Sequence, residues 1–230
     1  MTEFHTARVL SNEPIAEAQA FITLEVPREI ISAHREPGQW VDIVSGEMNP
    51  WHGTIANRPG RDRLDFLVKA VGERSGIISK LKPGDEIKIS APKGPGFPLN
   101  ANRRCNVIMA CCGVAVCAMR SLIEEILIAR HDWRTVSLFY GERTADRFAF
   151  MEEMENWKEN GIDIFLSASR PAEGTYWRGH VGYVQENLME IKPDINGTIA
   201  FLAGKDAMID EVSSILSVMG MPPNRIFLNT

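Results

Sequence analysis

The chain is poor in the residues that would announce metal, membrane or nucleic-acid chemistry. It holds only 4 cysteines in 230 residues, all between Cys105 and Cys117. None of their spacings gives the paired Cys-x-x-Cys or the plant-type ferredoxin pattern that wraps thiolates around zinc or an iron–sulfur cluster. They read as small buried hydrophobes on a strand and at the start of a helix. The histidines His5, His34, His52, His131 and His180 lack metal-ligand spacing, and no nucleophile elbow or Ser-His-Asp order is present, which argues against a hydrolase. Positive charge is not in excess: the formal net charge of -5 leaves no basic footprint for nucleic acid or an anionic membrane. The longest apolar stretch, Val107 to Met119, is too short to span a bilayer and contains Gly113, so it suits a buried strand entering a helix. The opening Met1-Thr2-Glu3-Phe4-His5 lacks the basic-then-apolar order of a signal peptide, so a cytoplasmic protein is expected.

What is present is enough for a packed core: 44% of residues are apolar and 24% are charged, the balance of an ordinary globular protein. The pattern changes character near residue 100. Before it, short β-rich runs (Ala7 to Leu10, Ala20 to Val26, Trp40 to Val44, Leu64 to Val71, Glu86 to Ser90) alternate with Pro-Gly turns, and one short helix is expected at Gly76 to Leu81. That is the pattern of a small antiparallel barrel. After residue 102, strands and helices alternate: strands at Asn106 to Cys111, Thr135 to Tyr140, Asp163 to Ser167, Gly197 to Ala203 and Arg225 to Leu228, with helices between them. Right-handed crossovers and a doubly wound parallel sheet follow, with a ligand crevice at the carboxyl ends of the strands. The expected division is a barrel over residues 1–101 and an α/β unit over 102–230. Paired glutamates, Glu124-Glu125 and Glu152-Glu153, read as solvated helix faces.

Several short motifs occur in a particular order. Pro37-Gly38-Gln39-Trp40-Val41 precedes Lys82-Pro83-Gly84-Asp85, and Pro92-Lys93-Gly94-Pro95-Gly96-Phe97 closes the first half. Gly76-Ile77-Ile78-Ser79 places a glycine and a serine at the expected start of a helix, where unpaired N–H groups and the dipole favour a phosphate. In the second half come Cys112-Gly113-Val114-Ala115, Phe139-Tyr140-Gly141-Glu142-Arg143, Ser169-Arg170, Trp177-Arg178-Gly179-His180, and Phe201-Leu202-Ala203-Gly204-Lys205-Asp206-Ala207-Met208. In this order they resemble the ferredoxin–NADP reductase superfamily along nearly the whole chain.

The resemblance implies a flavin-binding barrel followed by a nicotinamide-nucleotide unit. It implies FAD, with FMN as the other candidate, and NAD(P)H as cofactors. It places the flavin phosphate at Gly76, Ile78 and Ser79, and the flavin ring along Thr54, Ile55 and Ala56, with Thr54 as the hydroxyl near the reacting atoms. Val68 and Lys69 lie on the strand beneath the flavin. The nucleotide falls on Gly113, Val114, Arg143, Gly204, Asp206 and Met208, and the 2′-phosphate on Ser169 and Arg170, a hydroxyl and a fork suited to phosphate oxygens.

Departures from the family pattern are concentrated at the cofactors. Trp51 and Gly53 stand where the family has arginine and an aromatic ring, so Trp51 or His52 is left as the replacement stacking surface. Cys112, Ala115 and Ala118 replace two glycines and a proline of the nucleotide loop, and Ala203 and Lys205 replace a cysteine and a proline. Two functions from different classes follow. The first is a flavin-dependent oxidoreductase passing electrons from NAD(P)H to a separate acceptor such as a redox protein, without nucleic acid or membrane. The other is a reductase-like binding or regulatory module that has lost productive flavin or nucleotide chemistry. The sequence leaves the acceptor and the oligomeric state open.

Overall fold

The computed structural model describes residues 2–172 and 176–229, and two six-stranded sheets form its architecture. The first contains β1 (Phe4–Ala16), β2 (Gln19–Glu25), β3 (Trp40–Val44), β4 (Trp51–Thr54), β5 (Leu64–Lys69) and β6 (Glu86–Ser90), with α1 (Arg28–Ala33) and α2 (Glu73–Ile78) in its connections. The strands are antiparallel in the order β4-β3-β6-β1-β2-β5. Side chains alternate across a strand, so Val41 and Ile43 of β3 enter the barrel core beside Ile22, Leu24, Phe66 and Val68. Trp40 and Asp42 take the outer face. Register carries that assignment to β4: Gly53 pairs with Val41 and Trp51 with Ile43, whereas Thr54 pairs with Trp40 and His52 with Asp42. Hence Trp51 and Gly53 face inward, and His52 and Thr54 face outward. Just past β4, Ala56 N–H donates to Asp65 O at 2.8 Å and Asp65 N–H to Asn57 Oδ1 at 2.7 Å, which draws the two edges of the sheet together.

The second sheet contains β7 (Asn106–Cys112), β8 (Val136–Glu142), β9 (Asp163–Ala168), β10 (His180–Val181), β11 (Thr198–Ala203) and β12 (Ile226–Leu228). Its helices are α3 (Val116–Ile128), α4 (Met151–Glu159), α5 (Val184–Ile191) and α6 (Asp206–Val218). All strand pairs are parallel, in the order β10-β9-β8-β7-β11-β12. β8 and β11 are buried along their whole length, as expected of strands covered on both faces. Strand order reverses between β7 and β11, which makes the gap between their carboxyl ends the topological switch point.

The fold is therefore the expected barrel-like sheet followed by a doubly wound α/β sheet. Three short elements were not anticipated: α1, β4 and β10, of 6, 4 and 2 residues, each too brief to show a period. The two halves share one core, in which Ala56, Leu67, Phe97 and Leu99 pack with Met109, Cys111, Met119 and Phe201.

Candidate functional site

The carboxyl ends of β7 and β11 meet around two glycines. Gly113 has φ +62°, and a Cβ there would meet nothing within 4 Å, so its backbone borders open space. Val114 beside it is exposed. Gly204 has φ +143°, and a Cβ there would lie 2.7 Å from Cys112 Sγ and 2.9 Å from Met208 Cε. The thiol of Cys112 thus occupies the room that Gly204 leaves, and it accepts a bond from Lys205 N–H at 3.5 Å. Met208 is buried in the α/β core, while Asp206 is exposed in the first turn of α6. Gly113, Val114, Gly204 and Asp206 are therefore gathered at the switch point, and Met208 supports it from below.

Arg143, Ser169 and Arg170 lie together at the ends of β8 and β9. Arg170 N–H donates to Arg143 O at 2.7 Å, and Ser169 N–H to Glu142 O at 3.0 Å. Both arginines are exposed. Arg178, whose guanidinium lies 4.9 Å from the Tyr176 ring, adds an exposed cation near the same sheet edge.

On the barrel side, Thr54 is half-buried on the outer face of β4, across from Trp40. Beside it stands a charged and aromatic group. His52 Nδ1–H donates to Asp42 Oδ1 at 2.5 Å, Lys93 Nζ bonds the other Asp42 oxygen, and the His52 ring meets Trp40 edge-on at 5.1 Å. Burial works to raise the Asp42 carboxyl's pKa, but the hydrogen bonds from Lys93 and His52 outweigh it and hold the group below the usual carboxylate range.

Several expected contacts are corrected by the geometry. The helix runs over Glu73–Ile78, so Gly76 and Ile78 lie in its second half and Ser79 just past its end, none of them at its start. Gly76 N–H is already bonded to Gly72 O, Ser79 N–H to Ser75 O, and Ile78 is buried in the barrel core. A second G-x-x-S, Gly72-Glu73-Arg74-Ser75, directly precedes the first and does occupy the helix N-terminus, where Ser75 Oγ accepts Gly72 N–H at 3.2 Å. Arg74, exposed in that first turn, bonds Pro50 O at 2.8 Å, and Glu73 adds a carboxylate to the same turn. Ile55, Ala56 and Val68 are fully buried. The N–H groups of Ile55 and Ala56 are taken by Gln39 O and Asp65 O, which leaves Thr54 as the side chain of that segment facing outward. Lys69 reaches Glu142 at 3.5 Å, an ion pair between the two halves. Trp51 is no outer platform: its ring lies over Gly53, whose Cβ would come within 2.6 Å of it. Nor are the glutamates merely solvated, since Glu124 and Glu153 both bind Arg120. The sequence signals for the outer Trp40-Asp42-His52-Lys93 group were present only as alternation across two strands.

For a flavin nucleotide, the donors present fit the group at both ends. First-turn N–H groups of α2 and the Arg74 guanidinium suit a phosphate, and the Thr54 hydroxyl with the adjacent aromatic pair suits a polar ring.

A barrel-like sheet with outward polar groups on β4 is thus joined to a doubly wound parallel sheet with glycines at its switch point. Residues 109–214 match the family of oxidoreductase NAD-binding domains. The kiwifruit (Actinidia deliciosa) fruit protein pKIWI502 is 28% identical, over 96% of this chain and 74% of its own. The sulfhydrogenase 1 subunit gamma of Pyrococcus furiosus is 22% identical, over 84% of this chain and 67% of its own. The solved ferredoxin NADP+ reductase of Neisseria gonorrhoeae, with bound FAD and NADP, superposes with a TM-score of 0.84 at 17% identity, covering 99% of this chain and 98% of its own. The whole chain thus has the fold of that solved reductase, and its second half carries the match to an oxidoreductase NAD-binding domain.

Proposed function

We propose that this chain is a flavin-dependent oxidoreductase that takes electrons from NAD(P)H and passes them through FAD, or FMN in its place, to a separate acceptor such as a redox protein. The observation that carries this reading is the placement of the switch point. The turn at Gly113 to Ala115 adjoins β5, and Phe97 of the barrel packs 5.0 Å from Phe201 of β11, so a nucleotide in the crevice faces the barrel. We take residues 1–101 as the flavin-binding unit and 102–230 as the nucleotide-binding unit. A bound flavin supplies the chemistry of accepting a hydride and releasing electrons. The chain's own part is binding and orientation. The first turn of α2 and the Arg74 guanidinium receive the phosphate end, Thr54 offers a hydroxyl to the ring, and Gly113, Val114, Gly204 and Asp206 border the nucleotide. Ser169, Arg143 and Arg170 select a 2′-phosphate. The relatives' names support a separate partner: one is a sulfhydrogenase subunit. No helix among the described residues is long and apolar enough to cross a membrane.

The second reading, a binding module without flavin chemistry, draws support from the Trp51 ring over Gly53 and the Cys112 thiol against Gly204. One experiment separates them. The absorbance spectrum of the purified protein, before and after incubation with FAD and FMN, is followed by anaerobic titration with NADH and NADPH. Stoichiometric flavin that is bleached by a nicotinamide nucleotide supports the oxidoreductase. A colourless protein that takes up neither flavin overturns it in favour of the module.

A further inference from the structure

Position 53 offers no ring, yet the outer face around Thr54 is not bare. Trp40 stands directly across from Thr54, and His52 lies two residues before it on the same face, about 7 Å along the strand. The two rings touch edge to face, at 5.1 Å and 80°. His52 is fixed at one nitrogen by Asp42, and the Asp42 side chain is itself only 8% exposed. The His52 side chain is 63% exposed, and its Nε2 has no partner among the described residues. Lys93 sits 5.2 Å from the Trp40 ring and bonds Asp42. A buried carboxylate thus holds an exposed imidazole in one orientation against an indole, outside the core.

We propose that Trp40 and His52 form the seat for the flavin ring, with His52 presenting its open edge and Nε2 to the heterocycle, and with Asp42 acting as a positioning residue through His52. This rests on the flavoprotein reading above, and it moves the aromatic contact from inward-facing position 53 to outward-facing positions 40 and 52. A ring resting on Thr54 is then flanked by two rigid aromatic groups, which favour offset or edge contact with a flat polar heterocycle.

The test titrates the full chain, stripped of flavin, with FAD and with lumiflavin, a ring without phosphate, and follows quenching of flavin fluorescence. His52→Ala and His52→Gln each weaken FAD about fivefold to tenfold, lower the quenching at saturation and lose affinity for lumiflavin by a similar factor. His52→Phe restores the affinity, and Trp40→Leu repeats the loss. Asp42→Asn gives a smaller loss that His52→Phe removes, because a phenyl ring needs no carboxylate to orient it. FAD uptake with unchanged affinity and quenching in the His52 and Trp40 variants overturns the seat and leaves the flavoprotein reading standing. Failure of the wild-type chain to take up either flavin overturns both. Far-ultraviolet circular dichroism confirms that each variant is folded, and His52→Gln serves wherever His52→Ala is not.

Discussion

Replacing Arg120 should unfasten the two halves of the molecule. Its side chain is 10% exposed and lies 3.1 Å from Glu124, 2.9 Å from Glu153 and 3.9 Å from Asp65. It also donates to Ala56 O at 3.0 Å, and its guanidinium lies over Phe21 and Phe150 at 5.2 and 5.3 Å. Burial raises the carboxyls of both Asp65 and Glu153 above their usual range, with Arg120 pulling the other way. Arg120→Met keeps the stem and removes the charge, leaving Glu153 without its cation and Glu124 and Asp65 with only the longer contacts to Arg61 and Arg63, at 3.7 and 3.6 Å. Breaking a buried pair by deleting one partner costs about 3–5 kcal/mol; Glu153 is partly exposed and solvent screens its share, so about 3 kcal/mol is expected here. At about 2–4 °C per kcal/mol for a chain of this size, the melting temperature falls by about 6–12 °C. Urea unfolding followed by the fluorescence of buried Trp133 and Trp157 gives the measurement. The deficit has a pH signature: with Arg120 gone, the folded carboxyls bind protons more readily than unfolded ones, so the loss shrinks as pH falls from 7 to 4.5. Arg120→Lys, which keeps charge and loses the fork, should fall between. A loss below about 1 kcal/mol at pH 7, or one independent of pH, would refute the account of Arg120 as the clamp.

Other outcomes are open to measurement. His34 is buried, and burial lowers its pKa from 6.5 to about 4. The unfolded chain therefore binds the extra proton between those values, and stability should fall by about 2–3 kcal/mol on going from pH 7 to 4.5; a His34→Leu chain with the same pH slope in urea unfolding would show the premise wrong. Cys112→Gly should strengthen NADPH binding severalfold, measured by fluorescence titration, because the thiol against Gly204 narrows the crevice; unchanged affinity means the thiol does not limit access. Arg170→Ala should erase about tenfold of preference for NADPH over NADH, worth about 1–2 kcal/mol for an exposed arginine–phosphate pair. Equal weakening of both nucleotides would remove Arg170 from specificity.

Much of the architecture was legible because period and turn chemistry agreed. Residues Trp40 to Val44 and Glu86 to Ser90 were bounded correctly, since each combines β-branched alternation with a nearby Pro-Gly turn. The crossover strands were legible from their apolar runs between helices. Register was harder. Gly72-Glu73-Arg74-Ser75 and Gly76-Ile77-Ile78-Ser79 have the same G-x-x-S spacing, and both suit a helix start by propensity. The choice was made by capping, Ser75 Oγ closing on Gly72 N–H, a three-dimensional event that both tetrads could supply on paper. Likewise Glu124 and Glu153 look solvated in one dimension because Arg120, the partner they share, reaches Glu153 only across the packed faces of α3 and α4.

The altered cofactor motifs show a further regularity that no single position reveals. At Gly53 the missing ring is matched by Trp51, which lies over the glycine together with Phe66, 3.0 Å from the absent Cβ. At the switch point, the extra thiol of Cys112 is matched by Gly204, whose absent Cβ would lie 2.7 Å from it. In each pair, a larger neighbour fills what the glycine vacates, so close packing is preserved. The same logic holds at the outer face of β4, where an imidazole, an indole, a carboxylate and an ammonium group satisfy one another beside Thr54. Desolvating the Asp42 carboxylate is costly unless its oxygens are bonded, and both are. On the flavoprotein reading proposed above, a face organised to that degree beside Thr54 is a reshaped cofactor site.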